Sequence, residues 1–162
     1  MMACKDRHKL VPDPADTRHH ADFHWAFRAD PQEVRGTLRR AVDYFSDQIT
    51  PDEAGRLELV LAEVLNNVVE HGYAGLAAGP VAVSISLGPG ALRCRITDQG
   101  RPMPGVTLPD CRMQPVAECV ADLAEGGWGW ALIHELTCDL TYRRSAHTNS
   151  VSFRVPVLGR QD

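Results

Sequence analysis

Glu63, Asn66, Asn67 and Glu70 stand at i, i+3, i+4 and i+7 within the stretch ELVLAEVLNNVVEHGY, residues 58–73. On a helix that spacing gathers them into one polar stripe. Val60, Leu61, Val64, Leu65, Val68 and Val69 fill the rest of the circumference. An ordinary amphipathic helix also has a wet side, but that side is usually furnished with Lys, Arg, Glu and Gln. This stripe holds no cation and two adjacent asparagines, which are poor helix formers. Carboxylate and amide acceptors of this kind suit a metal ion or a proton in transfer.

Three other places carry chemistry-bearing residues. Asp98 ends an alternating apolar run and is followed by Gln99 and Gly100. An aspartate there can be a turn former; alternatively its carboxylate accepts a hydrogen bond from an exocyclic amine while the glycine lets a flat ring approach the backbone. Gly126, Gly127 and Gly129 precede or enter a helix start. Uncovered N–H groups at a helix amino terminus make a natural anion site, although a tight loop anchored by Trp128 and Trp130 would read the same way. Asn149 lies just before the last alternating run, where asparagine is ordinary turn chemistry.

The elements that must position these residues are legible. Phe23, Trp25 and Phe27 alternate with polar neighbours, a strand pattern. Asp30, Pro31 and Glu33 form a capping-box start to a helix that buries Val34, Leu38, Ala41, Val42, Phe45 and Ile49; Thr50, Pro51 and Glu53 repeat the device. The second helix therefore runs from about Pro51 to Gly72, a suitable stop. VAVSISL and ALRCRIT are alternating strands joined by Gly88-Pro89-Gly90, a hairpin signal. Residues 101–125 are rich in Pro and Gly, with one short helix expected over 116–123, and a long irregular stretch of this kind suits a lid. GWALIHEL is helical; CDLTYRR and SVSFRVPV are strands, the last ending near Pro156 or lying at an edge. This order predicts an α+β fold: a two-layer sandwich with a mostly antiparallel sheet and helices on one face.

Bulk properties narrow the partners. The 162 residues make one domain, residues 19–162, behind a loosely ordered segment at 1–18. A net charge of -4 argues against a nucleic-acid surface. No apolar run approaches a membrane span and the first residues lack a signal-peptide core, so a cytoplasmic protein with no membrane partner is expected. Five cysteines, Cys4, Cys94, Cys111, Cys119 and Cys138, without a Cys-x-x-Cys pair, suggest free thiols.

Taken together, EVLNNVVEHG, DQG and GWG, in that order, resemble the motifs of the GHKL ATP-binding superfamily, which includes gyrase B, histidine kinases and mismatch-repair ATPases. The likeness is greatest to its anti-sigma-factor branch, the serine-protein kinases of bacterial partner switching, and it covers nearly all the chain after the amino-terminal segment. The resemblance implies ATP and Mg2+ as cofactors. It implies Asn67 as a metal ligand, Glu63 as general base toward a serine hydroxyl, Asp98 reading the adenine amine and Gly100 beneath the base. The backbone of Gly126, Gly127, Trp128 and Gly129 would cradle the phosphates, with residues 101–125 as the lid. The partners it implies are a small serine-bearing anti-sigma-factor antagonist, a sigma factor or other output protein, and a second copy of the chain, for which Trp25 or Phe27 could supply a contact. Three features depart from the pattern: Pro102 replaces a glycine, Glu125 stands where some of these kinases carry arginine, and HTNSV replaces Gly-Thr before the last strand. They motivate a second reading, an ATP-binding module that sequesters its partner without kinase activity. A histidine-kinase catalytic domain is a third, for which no helical phosphoacceptor domain is seen.

Overall fold

The computed structural model describes residues 22–109 and 128–158. Strand β1 (Asp22–Arg28) leads to helices α1 (Pro31–Phe45) and α2 (Pro51–Asn67), then to strands β2 (Pro80–Gly88) and β3 (Ala91–Asp98). Helix α3 (Trp128–Leu136) and strands β4 (Cys138–Ser145) and β5 (Thr148–Pro156) follow. The strands form one antiparallel sheet in the order β1-β2-β3-β5-β4. The helices cover one of its faces, as the element order predicts.

Local chemistry accounts for the helix starts. The Asp30 side chain accepts from Gln32 N at 2.7 Å, and Pro31 opens α1. Here only the forward bond forms, so the expected reach-back by Glu33 is absent; Glu33 is exposed. At α2 the box closes in both directions: Glu53 N donates to Thr50 Oγ1 at 3.3 Å and Thr50 N donates to Glu53 Oε2 at 2.8 Å. That leaves the other Glu53 carboxylate oxygen to accept from Leu158 N, which ties the start of α2 to the end of the sheet.

The core lies between the layers. Val34, Leu38, Ala41 and Phe45 of α1 and Leu57, Val60, Leu61, Val64 and Leu65 of α2 pack against alternate residues of the strands: Val81, Val83 and Ile85, then Leu92, Cys94 and Ile96, then Val151, Phe153 and Val155. Phe27 belongs to this core; Trp25 is half-buried, with the Arg40 guanidinium 4.4 Å from its ring centroid. Period-two alternation gives each strand one inward column, and those columns dictate where the polar residues at their ends must lie. Cys94 is free and buried. Cys138 is disulfide-bonded, which corrects the expectation that every cysteine is a free thiol. No helix among the described residues is long and apolar enough to cross a membrane.

Candidate functional site

The polar stripe of α2 meets the first turn of α3. Glu63 and Asn67, one turn apart, are both half-buried. A Cβ added to Gly129 would fall well inside van der Waals contact of Glu63 Oε2 and 3.8 Å from Asn67 Nδ2. Glycine is therefore what allows the α3 backbone to lie against the carboxylate and the amide. Asn67 Nδ2 is buried and has no hydrogen-bond partner. A buried donor left unpaired costs about 1–3 kcal/mol, so this atom marks a place where an acceptor group would be welcome. Among the described residues no cluster of three or more His, Cys, Asp or Glu could enclose a metal. A single amide oxygen suits Mg2+, which keeps several waters and takes most of its other ligands from phosphates. On this donor set, the residues present fit a nucleotide-borne Mg2+ better than a protein-caged ion.

The stripe does not continue as a straight helix. After Asn67 the chain makes a π turn over Val68–Gly72. A π turn takes one more residue per turn than an α-helix. It therefore rotates Glu70 out of line with Glu63 and Asn67, and Glu70 and His71 are exposed. The sequence pattern predicts α-helix through Gly72; the structure corrects its last turn. Asn66 stays half-buried.

The π turn delivers Gly72 against the end of β3. A Cβ on Gly100 would meet Gly72 O at 2.6 Å and Asp98 Oδ1 at 3.1 Å, and Arg101 N donates to Gly72 O at 2.7 Å. Asp98 continues the inward column of Leu92, Cys94 and Ile96 and is 5% exposed. Its Oδ1 accepts from Gly100 N and from Asn149 Nδ2, each at 2.8 Å. Burial pushes its carboxyl above the ordinary range, opposed by the Asn149 and Gly100 hydrogen bonds and by the Arg144 guanidinium. Tyr73 braces the far side: its hydroxyl donates to Pro80 O at 2.8 Å and accepts from Gln99 N at 3.0 Å. Burial raises the Tyr73 phenol, so it is a neutral brace at physiological pH.

Glu63, Asn67 and Gly129 thus gather where α2 meets α3, and Asp98 and Gly100 gather beyond the π turn of the same α2 segment. Gly126, Gly127, Glu125 and residues 110–125 of the expected lid, with its short helix, lie outside the described residues, as does the segment at 1–18; residues 101–109 are described and include a 3-10 turn at Pro104–Val106. Trp128 supplies the first residue of α3. Asn149 is not in a turn: it is the second residue of β5 and 3% exposed. Sequence reading missed Tyr73, Tyr142 and Arg144. The available signal was alternation in β4, which puts Tyr142 and Arg144 on the same half-buried side as Leu140. A concavity of about 550 Å³ opens elsewhere among the described residues, on the face of the sheet opposite the helices, between His24, Arg93, Arg95 and Arg154. None of the candidate site residues lines it.

A family model described as "Histidine kinase-like ATPase domain" matches residues 27–155. The chain is similar to the anti-sigma F factor of Bacillus velezensis, 27% identical over 122 residues that cover 74% of this chain and 81% of that one. It is also similar to the anti-sigma F factor of Halalkalibacterium halodurans, 28% identical over 114 residues, 69% of this chain and 75% of that one. Among solved structures, the RsbU and RsbW domains of Rv1364c from Mycobacterium tuberculosis match with a TM-score of 0.58 at 17% identity over 86% of this chain. The chain spans 33% of that longer protein, and the likeness bears on the fold.

Proposed function

Because the chain belongs to the histidine kinase-like ATPase domain family, we propose that it binds Mg-ATP between α2, α3 and the end of β3 and phosphorylates a serine of a small anti-sigma-factor antagonist. The observation that carries this reading is the convergence of Glu63 and Asn67 on the α3 backbone at Gly129. Residues 19–162 act as one kinase domain. Its output partner is a sigma factor or equivalent protein, as the two anti-sigma F relatives suggest, and two copies of the chain pair.

Asp98 Oδ1 is engaged by the protein, so Oδ2 is the atom left to accept from the adenine amine, with Gly100 beneath the ring. Asn67 would offer its amide oxygen to Mg2+, which when bound would supply charge neutralisation to the nucleotide's phosphates. Trp128 and Gly129 at the start of α3 would offer backbone N–H groups to the phosphates, the role the motif also gives to Gly126 and Gly127. Glu63 takes the proton of the serine hydroxyl as its oxygen forms the bond to the γ-phosphorus and the bond to the β–γ bridging oxygen breaks. The phosphoserine then carries about -1.5 to -2 charges at an interface fitted to a neutral hydroxyl, which releases the antagonist.

The test is phosphotransfer from labelled Mg-ATP to a small serine-bearing anti-sigma-factor antagonist from the same organism. Glu63→Gln should lower transfer by at least ~100-fold, the scale of a lost general base, while ATP affinity stays within a few-fold. A wild-type protein that binds ATP and partner but moves no label would instead be a sequestering module without chemistry.

A further inference from the structure

Arg144, Asn149 and Asp98 are direct cross-strand neighbours on β4, β5 and β3. The periodicity that buries Val151 and Ile96 one pair further in turns all three toward the helices, so they form a polar row across the inner face of the sheet. The Asn149 amide is fully committed within that row. Its Nδ2 donates to Asp98 Oδ1 at 2.8 Å, Arg101 O at 3.0 Å and Gly100 O at 3.3 Å. Its Oδ1 accepts from Tyr142 Oη at 2.7 Å and from Arg144 at 2.6 Å. Tyr142 Oη accepts in turn from Met103 N at 3.0 Å, and Arg144 also donates to Gly100 O at 3.1 Å.

This donor pattern permits one orientation of the amide. Turned over, Asn149 would set its oxygen against the Asp98 carboxylate and its NH2 against the Arg144 cation. With both lone pairs and both N–H groups in use, Asn149 has nothing left for a ligand. Its part is toward Asp98 and toward the carbonyls of the chain that leaves β3. A turn former at this position would be exposed; Asn149 is 3% exposed.

We infer that Asn149, oriented by Tyr142 and Arg144, is the positioning residue for Asp98: it pins Oδ1 so that Oδ2 faces the nucleobase, and it holds residues 100–103 at the same point. The inference rests on the reading of Asp98 as the base-recognising carboxylate. It also makes nucleobase choice depend on a residue that never touches the base. Among the described residues, Arg144 from β4 and Tyr73 from the end of the π turn are the charged and titratable groups facing Asp98, and β2 faces it with Val81. Removing the Asn149 donor destabilises the ionised carboxylate relative to the protonated one.

The experiment uses the full chain and two readouts: titration of the Asp98 carboxyl by NMR without nucleotide, and dissociation constants for ATP and GTP at several pH values. Asn149→Leu, similar in size but with no donor, should move the Asp98 midpoint up by about one pH unit, as expected for a lost hydrogen bond to a charged group. It should also reduce the ATP-over-GTP preference about tenfold. Asn149→Thr, which restores a hydroxyl donor, should recover most of both. Tyr142→Phe should shift both in the same direction by less, and it serves if Asn149→Leu does not fold. An unmoved midpoint, or equal loss of ATP and GTP affinity, would overturn the inference and leave Asn149 a structural residue. If Asp98→Asn keeps wild-type ATP affinity, the base-reading role of Asp98 fails separately, and the titration alone still decides whether Asn149 holds the carboxylate.

Discussion

Asp98 is held in a state that costs the free protein stability. Burial lifts its native pKa above the unfolded value, so the native state binds the proton more tightly. Its contribution to stability is then fully present below the ordinary carboxylate pKa and is lost as pH rises through the raised native value. At neutral pH the buried charge is a liability, and the role in base recognition proposed above would be the reason for keeping it. Asp98→Asn retains an acceptor for Gly100 N and Asn149 Nδ2 while removing the charge. It should melt at or above the wild-type temperature at pH 7, with the gap closing in acid, and calorimetry at the two pH values checks this. The same variant should bind ATP about 10- to 100-fold more weakly, the scale of a lost charge-assisted hydrogen bond.

The two glycines at the element junctions should respond differently to the same added methyl. At Gly129 the new Cβ would meet the end of the flexible Glu63 side chain. The carboxylate can swing aside, so stability should change by less than about 1 kcal/mol, partly offset by the better helix propensity of alanine. Phosphotransfer should nevertheless fall tenfold or more, because the displaced group is the proposed base. At Gly100 the Cβ would sit 2.6 Å from Gly72 O and 2.8 Å from Gly72 C. Backbone cannot step aside, and Gly100→Ala should cost about 1–3 kcal/mol as an overpacked site. Urea denaturation of both variants alongside the transfer assay separates the two outcomes. The π turn belongs to this scale as well: one extra residue releases Glu70 from the stripe and brings Gly72 onto Asp98.

The proposed nucleotide site draws on α2, α3 and the ends of β3 and β5, so a bound nucleotide would join elements from both layers and both halves of the chain. Mg-ATP at one hundred times its dissociation constant should stabilise the fold by about 2.7 kcal/mol. For a domain of this size that is a rise of roughly 5–10 °C in melting temperature. Chelating the metal with EDTA should remove most of the rise, and thermal denaturation with and without chelator measures it. An unchanged transition at saturating Mg-ATP would oppose the assignment of a nucleotide to this site.

Periodicity and capping are carried by residues close together in the chain, and this is why so much was legible without coordinates. The i, i+4 spacing of Glu63 and Asn67 put both on one face whatever else the molecule did. Alternation in β2, β3 and β5 set which side chains face inward, and the Thr50–Glu53 box set where α2 begins. The two-layer architecture followed from the order of these elements. The Asp98–Asn149 bond joins residues 51 apart in sequence, and which residue of β5 stands opposite Asp98 is a matter of strand register. A slip of one position would have turned Asn149 to the face of the sheet opposite the helices. Arg144 and Tyr142 entered the network through the same register, and the contact of the π turn with the β3 exit joins Gly72 to Gly100 and Arg101, residues too far apart in the chain for local helix propensity to report.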